Sequence, residues 1–450
     1  MGEDAKKAGA VQKTTAVKTT ESANQAYKVL KGFYKKAAEA TAQGEPVAWC
    51  MTSICCEEIL EAMGVQQIYT ENFAGVCAAK KTAGYFMETA EADGYSPDIC
   101  SYVRTGVGYA IKRKELGMIP PEAPNGGMAD PTLIVGSTSN CEPRYKWYQS
   151  LGRYMDVPYF CIENADLQVP TGVNPDDIGE AVIRNVVLEL KEFQKSLEKL
   201  LGRKMDEARL QEVVEISEAT KNMYWKCLEM SKNLPCPMPA EDMFTIMPLG
   251  MFYFHQKESL EFFKTLYAEL EERVKNKRGV IPDEKYRLLW GWGIPSWHTM
   301  NIFNYFEQQG AVCVMETCYS GSAGGVFEGG HQYSDPIERI VRGYFYRMNV
   351  SSRRATANKV TRNVQTVLDL VKEFSCDGVV LNIQTSCRPQ SVGQKAGIEM
   401  LHKHINVPVL LLESDMADER NFSITEFNAR VDAFIETVDA KKYPRRQGAK

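Results

Sequence analysis

Leu133-Ile-Val-Gly-Ser-Thr-Ser-Asn-Cys141 and Val379-Val-Leu-Asn-Ile-Gln-Thr-Ser-Cys387 decide the fold. Each is an apolar run, a short polar link and a cysteine. After each comes a helical stretch and a second apolar run ending in an acid: Val157-Pro-Tyr-Phe-Cys-Ile-Glu163 in one case, Val407-Pro-Val-Leu-Leu-Leu-Glu413 in the other. A strand buried on both faces of a parallel sheet reads as a nearly unbroken apolar run, and parallel strands need helical crossovers. The repeated order therefore predicts one α/β plan used twice.

Working outward, the candidate strands are Val47–Thr52, Thr132–Gly136, Val157–Ile162, Leu288–Trp292, Ala311–Met315, Gly378–Ile383 and Val407–Leu412. Between the two groups, Ile178, Val182, Val186, Leu190, Phe193 and Leu197 recur at helical spacing, and no good strand comes until Tyr286. The expected architecture is α/β: two doubly wound, Rossmann- or flavodoxin-like domains, residues 23–172 and 280–441, joined by a helical segment, 173–279. Residues 1–22 mix Lys, Thr and Ala without an apolar run and are expected to be a disordered tail, not an export signal. Ser423 with Glu426 three residues on announces the last helix.

At 450 residues, 44% hydrophobic and 25% charged, the chain is long enough for more than one core. A net charge of −5 gives no electrostatic footprint for nucleic acid or an anionic membrane, and neither is expected as a partner. No apolar run approaches the ~20 residues that cross a bilayer. The thirteen cysteines are odd in number and include no Cys-x-x-Cys. That usage points to a reducing, cytoplasmic setting, and to any metal site being assembled from distant segments.

Cys141 and Cys387 each stand at the carboxyl end of a predicted strand, where open α/β sheets bind ligands, and just before a helix, whose N-terminus favours a thiolate. Cys100, in Asp98-Ile-Cys-Ser-Tyr-Val-Arg104, is the third candidate, with Asp98 placed to cap a helix that holds Cys100 in its first turn. Three thiolates suit an iron–sulfur cluster with one open iron. Cys50, Cys55, Cys56, Cys161, Cys227 and Cys376 read as small buried hydrophobes. Cys313 and Cys318, with four residues between them at a strand end, form the main rival pair.

Pro46-Val-Ala-Trp49, Ile68-Tyr-Thr-Glu-Asn72, Ala78-Ala-Lys-Lys81, the segment 98–104, Cys141 with Lys146-Trp-Tyr148, and Ser386-Cys387 resemble the 2-hydroxyacyl-CoA dehydratase and benzoyl-CoA reductase superfamily. The resemblance runs in order from about residue 24 to 440. It implies one [4Fe–4S] cluster per chain on Cys100, Cys141 and Cys387. It also implies a homologous second catalytic subunit, and a separate iron–sulfur activator that hydrolyses ATP and passes on electrons originating from ferredoxin. The 69–72 motif is similar to the acid-bearing motif of the dehydratase subunit. Ala323-Gly-Gly325, Ser391-Val-Gly-Gln394 and Glu413-Ser-Asp415 look closer to the larger catalytic subunit of ATP-dependent benzoyl-CoA reductase. Reduction of benzoyl-CoA to a cyclic dienoyl-CoA is the favoured reading. Dehydration of a 2-hydroxyacyl-CoA through a ketyl radical is the alternative, and a non-catalytic electron-relay subunit the third.

Glu71, after a predicted strand in the matching motif, is the first choice of proton-handling carboxylate, and His331, in Gly329-Gly-His-Gln-Tyr333, the second. Glu57 and Glu58 open a helix, where carboxylates are expected in any case. Ser320-Gly-Ser-Ala-Gly-Gly325 could offer backbone N–H groups to CoA phosphates, although a flexible turn is the plainer reading. Arg353 and Arg354, opening a predicted helix that ends near Phe374, read as a solvated helix start. Trp290, Trp292 and Trp297 wall either an acyl pocket or the core.

Overall fold

The apolar runs pair as two separate parallel sheets in a computed structural model that describes residues 17–139, 141–319 and 325–442. The first holds β1 (Val47–Cys50), β2 (Gln66–Tyr69), β3 (Leu133–Ser137) and β4 (Tyr159–Ile162) in the order β2-β1-β3-β4. The second holds β5 (Tyr286–Trp292), β6 (Ala311–Glu316), β7 (Gly378–Gln384) and β8 (Val409–Ser414) in the order β6-β5-β7-β8. The order is the same in both, so the plan read from the two cysteine-ending runs is repeated in topology as well as in sequence. Registers such as Trp49 opposite Ile134 and Leu289 opposite Val379 place apolar side chains in matching rows.

The first half carries α1 (Glu21–Ala42), α2 (Glu57–Ala62), α3 (Thr70–Ala79), α4 (Ala83–Ala92), α5 (Ser101–Leu116) and α6 (Glu142–Met155). Four helices come next: α7 (Pro175–Leu201), α8 (Glu207–Glu229), α9 (Ala240–Met251) and α10 (Lys257–Lys275). The second half carries α11 (Ile302–Gln308), α12 (Pro336–Met348), α13 (Ser352–Asn358), α14 (Arg362–Glu373), α15 (Arg388–Ser391), α16 (Gln394–His404) and α17 (Ile424–Lys442). The middle helices do more than connect: α8 packs on α2 of the first half and on α12 of the second, and α9 lies against both α1 and β6. One apolar core consequently runs from Trp49 and Ile134 through Leu228 and Leu249 to Val379 and Leu381. A second covers the other face of the later sheet with Leu288, Trp290, Phe303 and Val431. Among the described residues no helix is long and apolar enough to cross a membrane.

Three boundaries differ from expectation. Residues 1–16 of the expected tail lie outside the described residues, but the rest of it is ordered: Thr20 caps α1, and its amide donates to the buried Asp242 carboxylate at 2.8 Å. The helix expected to run on to Phe374 is two helices, because Lys359 takes a left-handed φ of 55° and Thr361 caps a new start. β2 was absent from the seven apolar runs because half of it is glutamine. Gln67 is nonetheless buried, donating to Glu57 O at 3.0 Å and accepting from the Tyr69 hydroxyl at 2.9 Å. At the chain's end Ser423 accepts from the Glu426 amide at 3.4 Å, as the capping signal predicted.

Close packing of α5 on α4 gives a direct test. A Cβ at Gly108 would stand 1.8 Å from the Phe86 carbonyl oxygen, so the helices could not keep their separation. Gly108→Ala is expected to lower unfolding free energy by at least the roughly 1–3 kcal/mol of ordinary overpacking, read as a lower urea midpoint.

Candidate functional site

The segments leaving the carboxyl ends of the strands make the site. β1 runs out into Thr52, β2 into Glu71 and β3 toward Cys141; in the other sheet β7 leads to Ser386 and Cys387, and β8 to Asp415. Cys100, Cys141 and Cys387 each occupy the position immediately before a helix, α5, α6 and α15 respectively. All three are half-buried, whereas eight of the other ten cysteines are buried. For Cys100 this corrects the expected cap: Asp98 turns back to Ser96, and the cysteine itself is the capping residue.

The three thiols sense one another. Burial raises the Cys100 pKa most, Cys387 and Cys141 add to it, and the backbone N–H groups of Tyr102 and Val103 pull it back without completing a capping hydrogen bond. Cys387 is pushed up to about 11, first by burial and then by Cys141 and Asp415, against Arg144. Cys141 is raised by burial, while the Arg144 guanidinium opposes the shift. The rival pair separates: Cys313 is buried among the apolar side chains of the second core, and the Cys318 thiol donates to Gly293 O at 2.8 Å.

Glu71 lies in the first turn of α3 and is tied down on both oxygens. Thr52 Oγ1 donates to Oε2 at 2.8 Å, and Arg144 Nε donates to Oε1 at 2.6 Å. Arg144 also reaches the Thr52 carbonyl oxygen at 2.8 Å. Sequence reasoning passed over Arg144 and Thr52; the signal was Arg144 standing three residues after Cys141, one helical turn from the thiol. Within electrostatic reach of Glu71 stands an aromatic wall. Trp297 Nε1 donates to the Tyr102 hydroxyl, and Tyr319 bonds Tyr102 as well. Burial first, then Glu71 and Cys100, hold the Tyr102 pKa well above the ordinary phenol value. Of the three tryptophans only Trp297 belongs to this wall. Trp290 packs on Phe303 in the core, and Trp292 is buried against Gly397.

Other expected contributors stand elsewhere. His331 is exposed on a turn whose Gly330 abuts Glu218 of α8, and no hydrogen bond or ion pair joins it to the described site residues. Arg353 pairs with Asp176 and Arg354 with Asp369, at the surface. Of Ser320–Gly325, residues 320–324 lie outside the described residues. Glu57 and Glu58 do open a helix, α2, and they are buried there, 0% and 2% exposed, facing Tyr344 and Lys221 from distant helices.

Two contacts hold the halves together at the thiols. Ser101 N, next to Cys100, donates to Ser386 Oγ, next to Cys387, at 3.1 Å, and Ser386 Oγ in turn donates to Asp415. One turn on, Arg104 is 1% exposed; it donates to Ile99 O at 2.8 Å and pairs with Glu91 at 2.5 Å and with Asp418 at 3.1 Å. Burial would raise the Asp418 pKa, but hydrogen bonds from Arg420 and the Arg104 charge hold it down to about 2.

Among the described residues no group of three or more His, Cys, Asp or Glu side chains is set to hold a metal ion. A cluster differs from a single ion in spreading its thiolates over separate irons, so its ligands stand farther apart. Three half-buried thiols within electrostatic reach of one another, each at a helix N-terminus and with Arg144 beside them, fit such a negatively charged, thiolate-held group.

A family model described as 2-hydroxyglutaryl-CoA dehydratase, D-component, matches residues 52–438, and the chain belongs to that family, within the 2-hydroxyacyl-CoA dehydratase and benzoyl-CoA reductase superfamily. Its relatives divide between the two chemistries. It is 28% identical to the (R)-2-hydroxyisocaproyl-CoA dehydratase alpha subunit of Clostridioides difficile, over 91% of this chain and 94% of that one. It is 26% identical to the (R)-phenyllactyl-CoA dehydratase alpha subunit of Clostridium sporogenes, over 90% and 93%. It is 27% identical to a benzoyl-CoA reductase subunit of Thauera aromatica, over 92% and 94%. Each of these three relatives is named as a subunit.

Asp418, held first by its neighbour Arg420 and then by Arg104 from the other half, carries a pH signature. Because the folded-state pKa of Asp418 is depressed, its contribution is complete above about pH 4 and is lost as pH falls through about 2. Asp418→Asn should make acid unfolding shallower in that window. Arg104→Met, which removes the buried guanidinium but leaves Asp418 and Glu91 paired with Arg420, should destabilise the fold at neutral pH by less than the roughly 3–5 kcal/mol of an orphaned buried charge, read by denaturant titration.

Proposed function

We propose that this chain is the catalytic subunit of an ATP-dependent benzoyl-CoA reductase, holding one [4Fe–4S] cluster on Cys100, Cys141 and Cys387 and reducing the aromatic ring to a cyclic dienoyl-CoA. The supporting observation is the company the three thiols keep. A buried neutral phenol, Tyr102, neighbours Cys100, a fixed carboxylate, Glu71, neighbours Cys141, and Trp297 and Tyr319 form an aromatic wall on Tyr102. The cluster, when bound, supplies electrons one at a time at low potential and an open, Lewis-acidic iron.

The chain's own residues do the rest. The aromatic wall offers a flat apolar face to a ring and keeps water from a strong reductant. The Tyr102 phenol, kept neutral, holds a proton at its hydroxyl beside the ring's position. Glu71, with Arg144 and Thr52 on its two oxygens, is the carboxylate positioned to exchange protons with the substrate. Within this reading ATP is hydrolysed by a separate iron–sulfur activator fed by ferredoxin, a homologous second catalytic subunit completes the complex, and the setting is cytoplasmic.

The second reading, 2-hydroxyacyl-CoA dehydration through a ketyl radical, is favoured by the family description and by the dehydratase alpha subunits among the relatives. Stoichiometry separates the two. The anaerobically reconstituted complex should consume reductant continuously with benzoyl-CoA; sustained turnover after one priming electron would establish the dehydratase instead. Glu71→Gln is expected to lower kcat by about 10²–10⁴ with iron content unchanged. Cys387→Ala should lose the iron–sulfur absorption, and a normal spectrum in that variant would remove Cys387 from the ligand set.

A further inference from the structure

The opening turns of α6 reach back across the first sheet. Arg144 follows Cys141 by three residues, and Tyr148 stands one helical turn beyond it. The Tyr148 hydroxyl donates to Cys50 O at 2.8 Å and meets the Thr70 hydroxyl. Arg144 Nη2 donates to the carbonyl oxygen of Thr52 at 2.8 Å and to its hydroxyl at 2.5 Å. One helix face thus grips the carboxyl ends of β1 and β2, and the residue nearer Cys141 along the helix is the charged one.

The Arg144 side chain is 14% exposed, and its donors are only partly used. Nε serves Glu71 and Nη2 serves Thr52, whereas Nη1 makes no hydrogen bond to a described residue. Burial works against the guanidinium charge, but Glu71, Cys141 and Tyr148 hold its pKa above the ordinary value, so it stays charged. Glu71 does not simply cancel that charge. At Cys141, where burial raises the pKa, Arg144 is the strongest influence against the rise and Glu71 adds to it more weakly. At Cys387, in the other half, Arg144 again acts against burial and against the charges of Cys141 and Asp415. One fixed cation therefore reaches thiols on both bodies. A metal–thiolate group gains negative charge when it is reduced, so a cation held beside it favours the reduced form and an anion disfavours it.

We infer that Arg144 is a positioning residue with two duties: its Nε and Nη2 edge orients the Glu71 carboxylate, and its charge raises the reduction potential of the group held by Cys100, Cys141 and Cys387. One side chain then sets both the uptake of an electron and the placement of the carboxylate that handles protons. The inference rests on the cluster reading above and applies equally to ring reduction and to dehydration.

The test is an anaerobic redox titration of the full chain in its reconstituted complex, with titanium(III) citrate and viologen mediators. The one-electron midpoint is read by electron paramagnetic resonance, and iron content and thermal melting are measured on every variant. Arg144→Met should disfavour reduction about tenfold or more, a midpoint lower by ~59 mV. Arg144→Lys, which keeps the charge but not the fork, should stay within about threefold of the parent equilibrium while kcat falls, because Glu71 loses its bond to Nε. Glu71→Gln removes the opposing charge and should move the midpoint upward. An unchanged midpoint in iron-loaded Arg144→Met overturns the inference, and so do equal shifts in the Met and Lys variants. A midpoint that falls in Glu71→Gln as well assigns the effect to distortion and overturns it too. If Arg144→Met sheds its iron, Arg144→Gln, neutral yet still a hydrogen-bond donor, is judged by the same shift; loss of iron there as well overturns the inference in favour of a purely structural role. If the parent complex shows no iron–sulfur absorption, the cluster reading itself fails and the inference falls with it.

Discussion

Everything in the site depends on two sheets presenting their carboxyl edges to each other, and the contact that fixes this is the buried Arg104 between Glu91 and Asp418. A guanidinium removed from water is costly unless its donors are met, and here the ion pairs and the Ile99 carbonyl meet them. The geometry needed to satisfy Arg104 therefore specifies how the halves dock. Because Ile99 immediately precedes Cys100 and Asp418 lies just past the β8 edge, the same bonds place one thiol relative to the body that carries another. Ser101, Ser386 and Asp415 repeat the connection one turn away.

The division of labour between the edges depends on the segment that leaves each strand. On the first sheet Thr52, Glu71 and Arg144 form a closed polar group in which both carboxylate oxygens have donors. On the second, Asp415 gathers the amides of Ala417 and Asp418 at 3.0 and 2.9 Å and so shapes the turn beside Cys387. The aromatic wall stands where these polar groups meet. Relatives named as dehydratase and as reductase subunits align with this chain almost end to end, which fits one frame hosting different reactions within the family.

The duplicated plan was legible because strands covered on both faces leave little choice but Val, Ile and Leu, and because each cysteine stood at a strand's end. β2 was foreseen only as the strand before Glu71 and not as an apolar run, because its polar residues have private partners inside: Gln67 serves Tyr69 and Glu57, a need that no local pattern announces. The burial of Glu57 and Glu58 was hidden for a related reason. At the start of α2 they look like ordinary helix-start acids, and only the arrival of Lys221 and Tyr344 from far along the chain buries them. Lys359 broke a helix that its periodicity would have continued, since a left-handed lysine carries no sequence mark. Arg144 and Asp415 lay within or beside quoted motifs, yet their roles depended on pairing across the fold.

The three thiols are distributed two and one. Cys100 and Cys141 ride on the body built around the first sheet, and Cys387 on the other. Any inorganic group bridging all three is thus a cross-link, stapling two bodies as a disulfide would, but with three attachment points. Such a group would fasten two bodies that Arg104 already docks, and a swing of one body against the other would strain its attachment to Cys387 relative to Cys100 and Cys141.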